Sequence, residues 1–170
     1  METREFLSCV SKWAVDRNLV EGSSVSQQMY KLVEEMGEHA AAIARKKQKE
    51  AADGVGDAAV VLTVMSTQVC LGGKIVAPEA IPFLNVVAGL GNIAADILQI
   101  VEDQQAGRPV DPGDLRVTLG SVLTSLHDYA DQHPQLPPAS ECLATAWNEI
   151  KDRKGQMVDG VFVKEQDVNN

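Results

Sequence analysis

The sequence predicts an all-α protein, a helical bundle made of two helix hairpins with flanking N- and C-terminal helices. Apolar residues recur at three- and four-residue spacing along most of the chain, as they do on one face of a helix. Strand-like segments occur only near the C-terminus. With 170 residues, 45% hydrophobic and 23% charged, the chain has the composition of one folded domain and not of a disordered segment.

The N-terminal half predicts three helices. The first spans about residues 3–18, and a loop around 21–23 follows it. The second begins at a capping box of Ser24 and Gln27 and ends in the basic stretch 45–47. The third covers about residues 50–71 and stops at Gly72. The second and third helices are expected to turn one apolar face inward, formed by Met29, Leu32, Val33, Met36, Ala40, Ile43, Val55, Ala58, Val61, Leu62 and Met65.

The C-terminal half predicts three more helices. The fourth follows two prolines and carries the apolar positions from 86 to 101. Asp111 and Pro112 predict the N-cap and first residue of the fifth, whose apolar face runs from 115 to 126. The sixth carries 143–150 and ends at Gly155. The dipeptide at 159–160 predicts a turn between two short strands.

Charge and cysteine content restrict the class of partner and the compartment. Fifteen basic against 24 acidic residues give a formal charge of -9, which disfavours nucleic acid and anionic membranes as partners. Cys9, Cys70 and Cys142 contain no CxxC pair, so we expect small core residues in a reducing compartment and neither a disulfide framework nor a zinc site. No apolar run of about 18 residues and no signal peptide is found, which predicts a soluble cytoplasmic protein.

The chain contains an apparent internal repeat. Residues 33–43 align with 87–97, and residues 55–57 align with 119–121. The first copy carries acidic residues where the second does not, at the aligned pairs Glu34 and Ala88, Glu35 and Gly89, Glu38 and Asn92, Asp57 and Ser121. The repeat predicts a catalytic hairpin at 25–71 and a degenerate hairpin at 80–131, followed by a C-terminal helix and tail at 138–165. Chance similarity between small-residue helices is the alternative.

Acidic residues share one face on each helix of the first hairpin. Glu34, Glu35 and Glu38 fall within about a 100° sector of the second helix. Glu50, Asp53 and Asp57 are spaced i, i+3, i+7 on the third. Facing each other, these carboxylates would repel strongly, and hard divalent cations with oxygen ligands would offset that cost. A solvated acidic face with Lys and Arg partners is the alternative.

These motifs resemble a known family. The run Glu34-Glu35-Met36-Gly37-Glu38, followed by Asp53-Gly54-Val55-Gly56-Asp57, resembles the EExxE…ExxD signature of the all-α nucleoside triphosphate pyrophosphatases. That group includes MazG, phosphoribosyl-ATP pyrophosphatase and the dimeric dUTPases. The stretch 146–155, continuing to 162–164, is similar to phage and bacterial MazG-like proteins. The resemblance covers residues 5–71 and 138–165.

The resemblance implies hydrolysis of a triphosphate between the α and β phosphates, with two or three Mg²⁺ or Mn²⁺ ions per site. By position, it makes metal ligands of Glu35, Glu38 and Asp57. Glu34 matches a ligand or a base that orients the attacking water, and Glu38 is a second candidate for that role. The Glu of ExxD falls on Gly54, and we expect Asp53 to replace it, with Glu50 one turn earlier as the alternative. Substrate contacts are implied at the positions Asn148, Lys151 and Lys154.

Several expectations about substrate and assembly complete the prediction. Trp13 would stack on the base, or else belong to the core. The preferred substrate is a purine triphosphate such as dGTP or GTP, with dUTP, dCTP and phosphoribosyl-ATP as alternatives. A non-catalytic helical interaction module is the rival of a different class. We expect a homo-oligomer, a dimer or higher, with no nucleic-acid or membrane partner, in the cytoplasm of a bacterium or a phage-infected host.

Overall fold

The computed structural model describes residues 2–158 and 161–164, and it confirms the all-α class. In that part of the chain, seven α-helices alternate with short connections, and one 3-10 turn, Pro78–Ala80, precedes the fifth helix. The elements are α1 (Thr3–Asp16), α2 (Leu19–Gly22), α3 (Val25–Ala44), α4 (Gln48–Cys70), α5 (Ile81–Gln105), α6 (Gly113–Gln132), α7 (Ala139–Ile150), β1 (Gly155–Val158) and β2 (Val161–Lys164).

The chain divides into two compact units, Met1–Ile81 and Pro82–Asn170. The first contains α1 to α4, and the second contains nearly all of α5 together with α6, α7 and the β ribbon. Each unit therefore holds one of the two helix pairs that the internal repeat distinguishes.

The predicted capping box fixes the start of α3. The Ser24 hydroxyl accepts a hydrogen bond from the Gln27 backbone at 3.2 Å, and the Gln27 side chain accepts one from the Ser24 backbone at 3.0 Å. The first two backbone N–H groups of α3 donate to the carbonyls of Lys74 and Ile75, both at 3.0 Å. The segment that follows α4 thus returns to the start of α3 and closes this end of the helix pair.

A small core joins α1 and α2 to the C-terminal half of α4. Ala14, Val20 and Val64 are buried against one another. The fully buried Gln68 amide donates to the Leu19 and Ser23 carbonyls at 3.0 and 3.2 Å. These contacts satisfy buried backbone acceptors and fix the α1–α2 segment on α4.

Helices α3 and α4 approach each other closely at Gly54. A Cβ atom on this residue would lie only 3.0–3.1 Å from the His39 Cβ, Cα and N atoms. The His39 Nδ1–H group donates to the Ala51 carbonyl at 2.8 Å and joins the same two helices one turn away. Gly54 is therefore required by packing, which explains why this position does not carry the glutamate of the ExxD pattern.

The second unit repeats the close approach with different residues. A Cβ on Gly89 of α5 would lie 2.5 Å from Val122 Cγ2 of α6. The Phe83 and Tyr129 rings contact each other at a tilt of 54°, with centroids 5.9 Å apart, so α5 and α6 run antiparallel. Beyond α7, β1 and β2 pair antiparallel as predicted, with Gly155 opposite Lys164. The predicted turn residues 159–160 lie outside the described residues.

Several element boundaries differ from the sequence-based prediction. The first helix ends at Asp16, and a short helix, α2, replaces the expected loop because Asn18 adopts a left-handed conformation with φ of 59°. Helix α6 begins one residue later than expected, and Asp111 accepts a hydrogen bond from the Gly113 backbone at 2.9 Å. Helix α7 ends at Ile150, well before Gly155.

Part of the predicted core is exposed. Helices α3 and α4 pack through a narrow stripe of small residues that includes Ala51 and Ala58, so larger apolar residues beside this stripe remain outside. The residues wrongly expected to point inward are Met36, Ala40, Ile43, Val55 and Leu62. Cys9 and Cys70 are also exposed, and Cys142 is half-buried, so the prediction of core cysteines was wrong.

The expectation that no apolar segment reaches membrane length also needs correction. The helical segment Pro78–Gln105, 28 residues long, is long and apolar enough to cross a membrane, with a mean hydropathy of 1.6 in its most apolar stretch. Only 6% of that stretch is buried. Length and composition alone do not distinguish a membrane span from a helix that packs on protein.

Candidate active site

The predicted carboxylates of α3 and α4 line one cavity of about 270 Å³. Helix α4 contributes Glu50, Asp53, Gly54 and Asp57 to its wall. The α3 side is formed by Glu38, Ala41, Ala42 and Arg45. Four of the six predicted acidic residues are thus brought to the same place by two antiparallel helices.

Helical spacing explains this lining. Residues three, four or seven apart share a helix face. This spacing aligns Glu38 with Arg45, the residue that caps the end of α3, and it aligns Glu50 with Asp57 on α4. The small side chains of Ala41 and Ala42 leave space between the charged groups. All four cavity carboxylates are on exposed residues, so a solvated ligand has access to them.

Glu35 is also on α3, but its carboxylate forms an ion pair with a lysine. The Lys31 Nζ atom lies 2.7 Å from Glu35 Oε1 and 3.0 Å from Glu34 Oε1. Glu35 is buried, with a side chain only 6% exposed, whereas Glu34 is 53% exposed. The hydrogen bonds to Glu35 and then to Glu34 raise the pKa of Lys31 above its ordinary value, so this residue stays a cation.

The two candidates to replace the ExxD glutamate differ in their partners. The Lys47 ammonium donates to both carboxylate oxygens of Glu50, at 2.9 and 3.0 Å. Within the described ranges, Asp53 forms no ion pair. Of these two residues, Asp53 is therefore the one whose carboxylate oxygens are available to another cation.

Arg45 is the residue of this cavity that the sequence analysis missed. Its guanidinium donates to the Ala41 carbonyl at 3.2 Å and, in the part of the chain that the structure describes, pairs with none of the cavity carboxylates. In the sequence, the basic stretch 45–47 indicates only the end of the second helix. Its spacing of seven residues from Glu38 is the signal that could have placed Arg45 on the acidic face.

The side chains are not yet arranged as a metal site. Among residues 2–158 and 161–164, no group of three or more His, Cys, Asp or Glu side chains is positioned to hold an ion. The donor set does fit a hard divalent cation, because every acidic ligand in the cavity offers carboxylate oxygen. At Glu34 and Glu35, the Lys31 ammonium supplies the positive charge that a metal ion would otherwise supply.

The remaining predicted site residues are not among those that line this cavity. Trp13 is on α1, which packs on the C-terminal half of α4, whereas the cavity lies beside the N-terminal half. The residue is 40% exposed, and the Arg17 guanidinium lies 5.0 Å from the centroid of its ring. Asn148 at the end of α7, and Lys151 and Lys154 just after it, are exposed residues of the second unit.

Comparison with known proteins gives one phage relative. The chain is 36% identical over 67 residues to an uncharacterized 18.2 kDa protein from the rep–hol intergenic region of Haemophilus phage HP1. The match spans 39% of this chain and 41% of the relative, so well under half of each protein is covered. No family model matches the chain, and no solved structure matches it.

Proposed function

We propose that this protein is a metal-dependent nucleoside triphosphate pyrophosphatase. It would hydrolyse a nucleoside or deoxynucleoside triphosphate between the α and β phosphates, releasing the monophosphate and pyrophosphate. The observation that carries the proposal is the α3–α4 cavity, whose wall combines Glu38, Asp53 and Asp57 with the guanidinium of Arg45. Such a set can hold cations and a polyphosphate side by side.

The carboxylates would bind the required Mg²⁺ or Mn²⁺ ions. Glu38, Asp53 and Asp57 are the proposed ligands in the cavity, and Glu35 is the proposed ligand one turn away on α3. Glu50 is the weaker choice because Lys47 already occupies both of its oxygens. When bound, such ions neutralise phosphate charge and activate water for attack.

Overall charge supports the need for these ions. The chain has a formal charge of -9, and a triphosphate adds about four negative charges, so the two repel each other without cations. From their places on and beside α3, Glu34, or Glu38, would orient the attacking water, and Arg45 would bind phosphate oxygens. The role of Lys151 and Lys154 comes only from the family resemblance, which implies that they offset charge on the departing pyrophosphate.

A panel of nucleotides tests the proposal. The purified protein would be incubated with each NTP and dNTP in Mg²⁺ or Mn²⁺, and pyrophosphate and orthophosphate would be measured separately. We expect pyrophosphate release, fastest with a purine such as dGTP or GTP, and no release in EDTA. Preference for dUTP, dCTP or phosphoribosyl-ATP would show that the substrate is not dGTP or GTP, and would identify the substrate as the preferred nucleotide. Orthophosphate as the sole product would reject cleavage between the α and β phosphates.

The rival function is a non-catalytic helical interaction module. It is favoured by the exposed apolar residues of the second unit, among them Leu90, Ile97, Leu98, Leu119, Leu123 and Leu126. Absence of hydrolysis of every nucleotide in the panel would leave this rival as the better explanation. The phage relative supports a bacterial or phage setting, and a cytoplasmic enzyme without nucleic-acid or membrane partners remains our proposal.

The exposed apolar residues also support the proposed homo-oligomer. Leu98 is 63% exposed and Leu62 is 52% exposed, and burial of such residues is the main driving force of association. We expect sedimentation velocity at micromolar concentration to give a dimer or a larger species. A monomer throughout that range would contradict this prediction.

Arg45 provides a specific prediction about substrate binding. Replacement by Gln removes a charged donor for phosphate, so we expect KM to rise about tenfold while kcat changes less than about threefold. Steady-state pyrophosphate release at varied nucleotide concentration measures both constants. Arg116→Gln, an exposed change on α6, is the matched control and should leave both near the wild-type values. An unchanged KM in Arg45→Gln would remove this arginine from the site.

A further inference from the structure

The Lys31 ammonium binds the first two glutamates of the acidic signature at once. It lies within hydrogen-bond distance of Glu35 and Glu34. The lysine precedes these residues by four and three positions, so one helical turn of α3 creates the whole arrangement. Lys31 itself is half exposed, whereas the Glu35 side chain is almost completely buried.

A buried carboxylate needs a compensating charge. Without Lys31, Glu35 would keep its negative charge away from water, which destabilises the folded protein. A divalent cation at Glu35 would supply the same compensation, but the ammonium and the ion would compete for the same carboxylate and repel each other. The Lys31 ammonium and a divalent cation therefore do not bind Glu35 at the same time.

We propose that Lys31 is a resident counter-cation, which neutralises Glu35 in the metal-free protein and is displaced when a divalent cation binds there. The inference rests on the proposed function, because it takes Glu35 as a metal ligand. About half of the Lys31 side-chain surface is exposed, so the ammonium can rotate into solvent while α3 stays in place.

Displacement has two measurable consequences. Metal affinity is lower than the carboxylates alone would give, because each binding event must first release the lysine. The metal-free protein is stabilised by Lys31, whereas the metal-loaded protein is not. A Lys31→Met variant should therefore bind metal more tightly and should unfold more easily only when metal is absent.

The test is a Mn²⁺ titration followed by electron paramagnetic resonance of the free ion, without nucleotide. We expect Lys31→Met to bind Mn²⁺ about tenfold more tightly than the wild type, because one competing cation is gone. Lys31→Arg keeps the charge and should stay within about twofold of the wild type. Lys12→Met is the control, because Lys12 pairs with Asp16 at the same i, i+4 spacing on α1, far from the acidic signature. It should leave the Mn²⁺ affinity unchanged.

Thermal unfolding with and without Mn²⁺ gives the second readout. Lys31→Met should melt below the wild type in EDTA, and saturating Mn²⁺ should close the gap. If Lys31→Met does not fold in EDTA, Lys31→Gln takes its place with the same expected tightening. Equal or weaker Mn²⁺ binding by the neutral variant overturns the displacement while leaving the enzyme proposal intact. A wild type that binds no Mn²⁺ overturns both.

Discussion

Replacing Glu38 by Gln is expected to lower pyrophosphate release at least about a hundredfold, because it removes a charged oxygen ligand from the cavity. The change keeps the size of the side chain. Glu38 is exposed and forms no ion pair within the described ranges, so the helices should not depend on its charge. Steady-state pyrophosphate assays would measure the loss, and far-ultraviolet circular dichroism would verify that the helical content persists.

The second copy of the repeat supplies the matched control. Asn92 on α5 aligns with Glu38 and is also exposed, and Asn92→Ala should leave turnover within about threefold of the wild type. Similar losses in both variants would contradict the division into a working and a silent copy. Full activity in Glu38→Gln would instead exclude Glu38 from catalysis.

The structure adds a physical reason for expecting the second copy to be silent. In the alignment, Glu35 and Ala58 correspond to Gly89 and Val122. Glu35 and Ala58 are both buried in the first unit. In the second unit the valine fills the space beside the glycine, because a Cβ there would lie 2.5 Å from it. The position that carries a buried carboxylate in the first copy is therefore occupied by apolar packing in the second.

Local sequence signals predicted much of the fold. The all-α class, the capping box and the antiparallel ribbon each follow from patterns within a few residues, and the structure agrees with them. The short helix α2 was missed because it depends on the left-handed conformation of Asn18, which helical periodicity does not report. The exposure of Val55 and Leu62 was missed because periodicity identifies an apolar face without identifying what covers it.

The site was predicted less completely than the fold. Spacing on two helices was sufficient to predict that Glu38, Asp53 and Asp57 would share a cavity. It did not predict that Glu50 is paired, because that pairing depends on Lys47, which lies just before α4. The ion pairs of Lys31 were likewise hidden, since a lysine one turn before two glutamates also fits an ordinary solvated surface pair.

Gly54→Ala is the change in α4 with the largest expected effect on stability. The added methyl group would lie 3.0 Å from the His39 Cβ and 3.1 Å from its backbone Cα and N atoms, and none of these atoms can rotate away. Overpacking of this kind costs about 1–3 kcal/mol, and the gain in helix propensity returns up to about 1 kcal/mol. We expect a net loss of about 1–2 kcal/mol in the free energy of unfolding, measured by urea denaturation.

Gly56→Ala, two residues along the same helix, is the control because a Cβ there has no atom within 4 Å. This change should be neutral or stabilise the protein by up to about 1 kcal/mol through helix propensity. Equal effects of the two substitutions would show that α3 and α4 do not depend on close approach at Gly54.

The same contact predicts that Gly54→Glu, which completes the ExxD pattern, weakens Mn²⁺ binding, because separating the helices moves Glu38 away from Asp53 and Asp57.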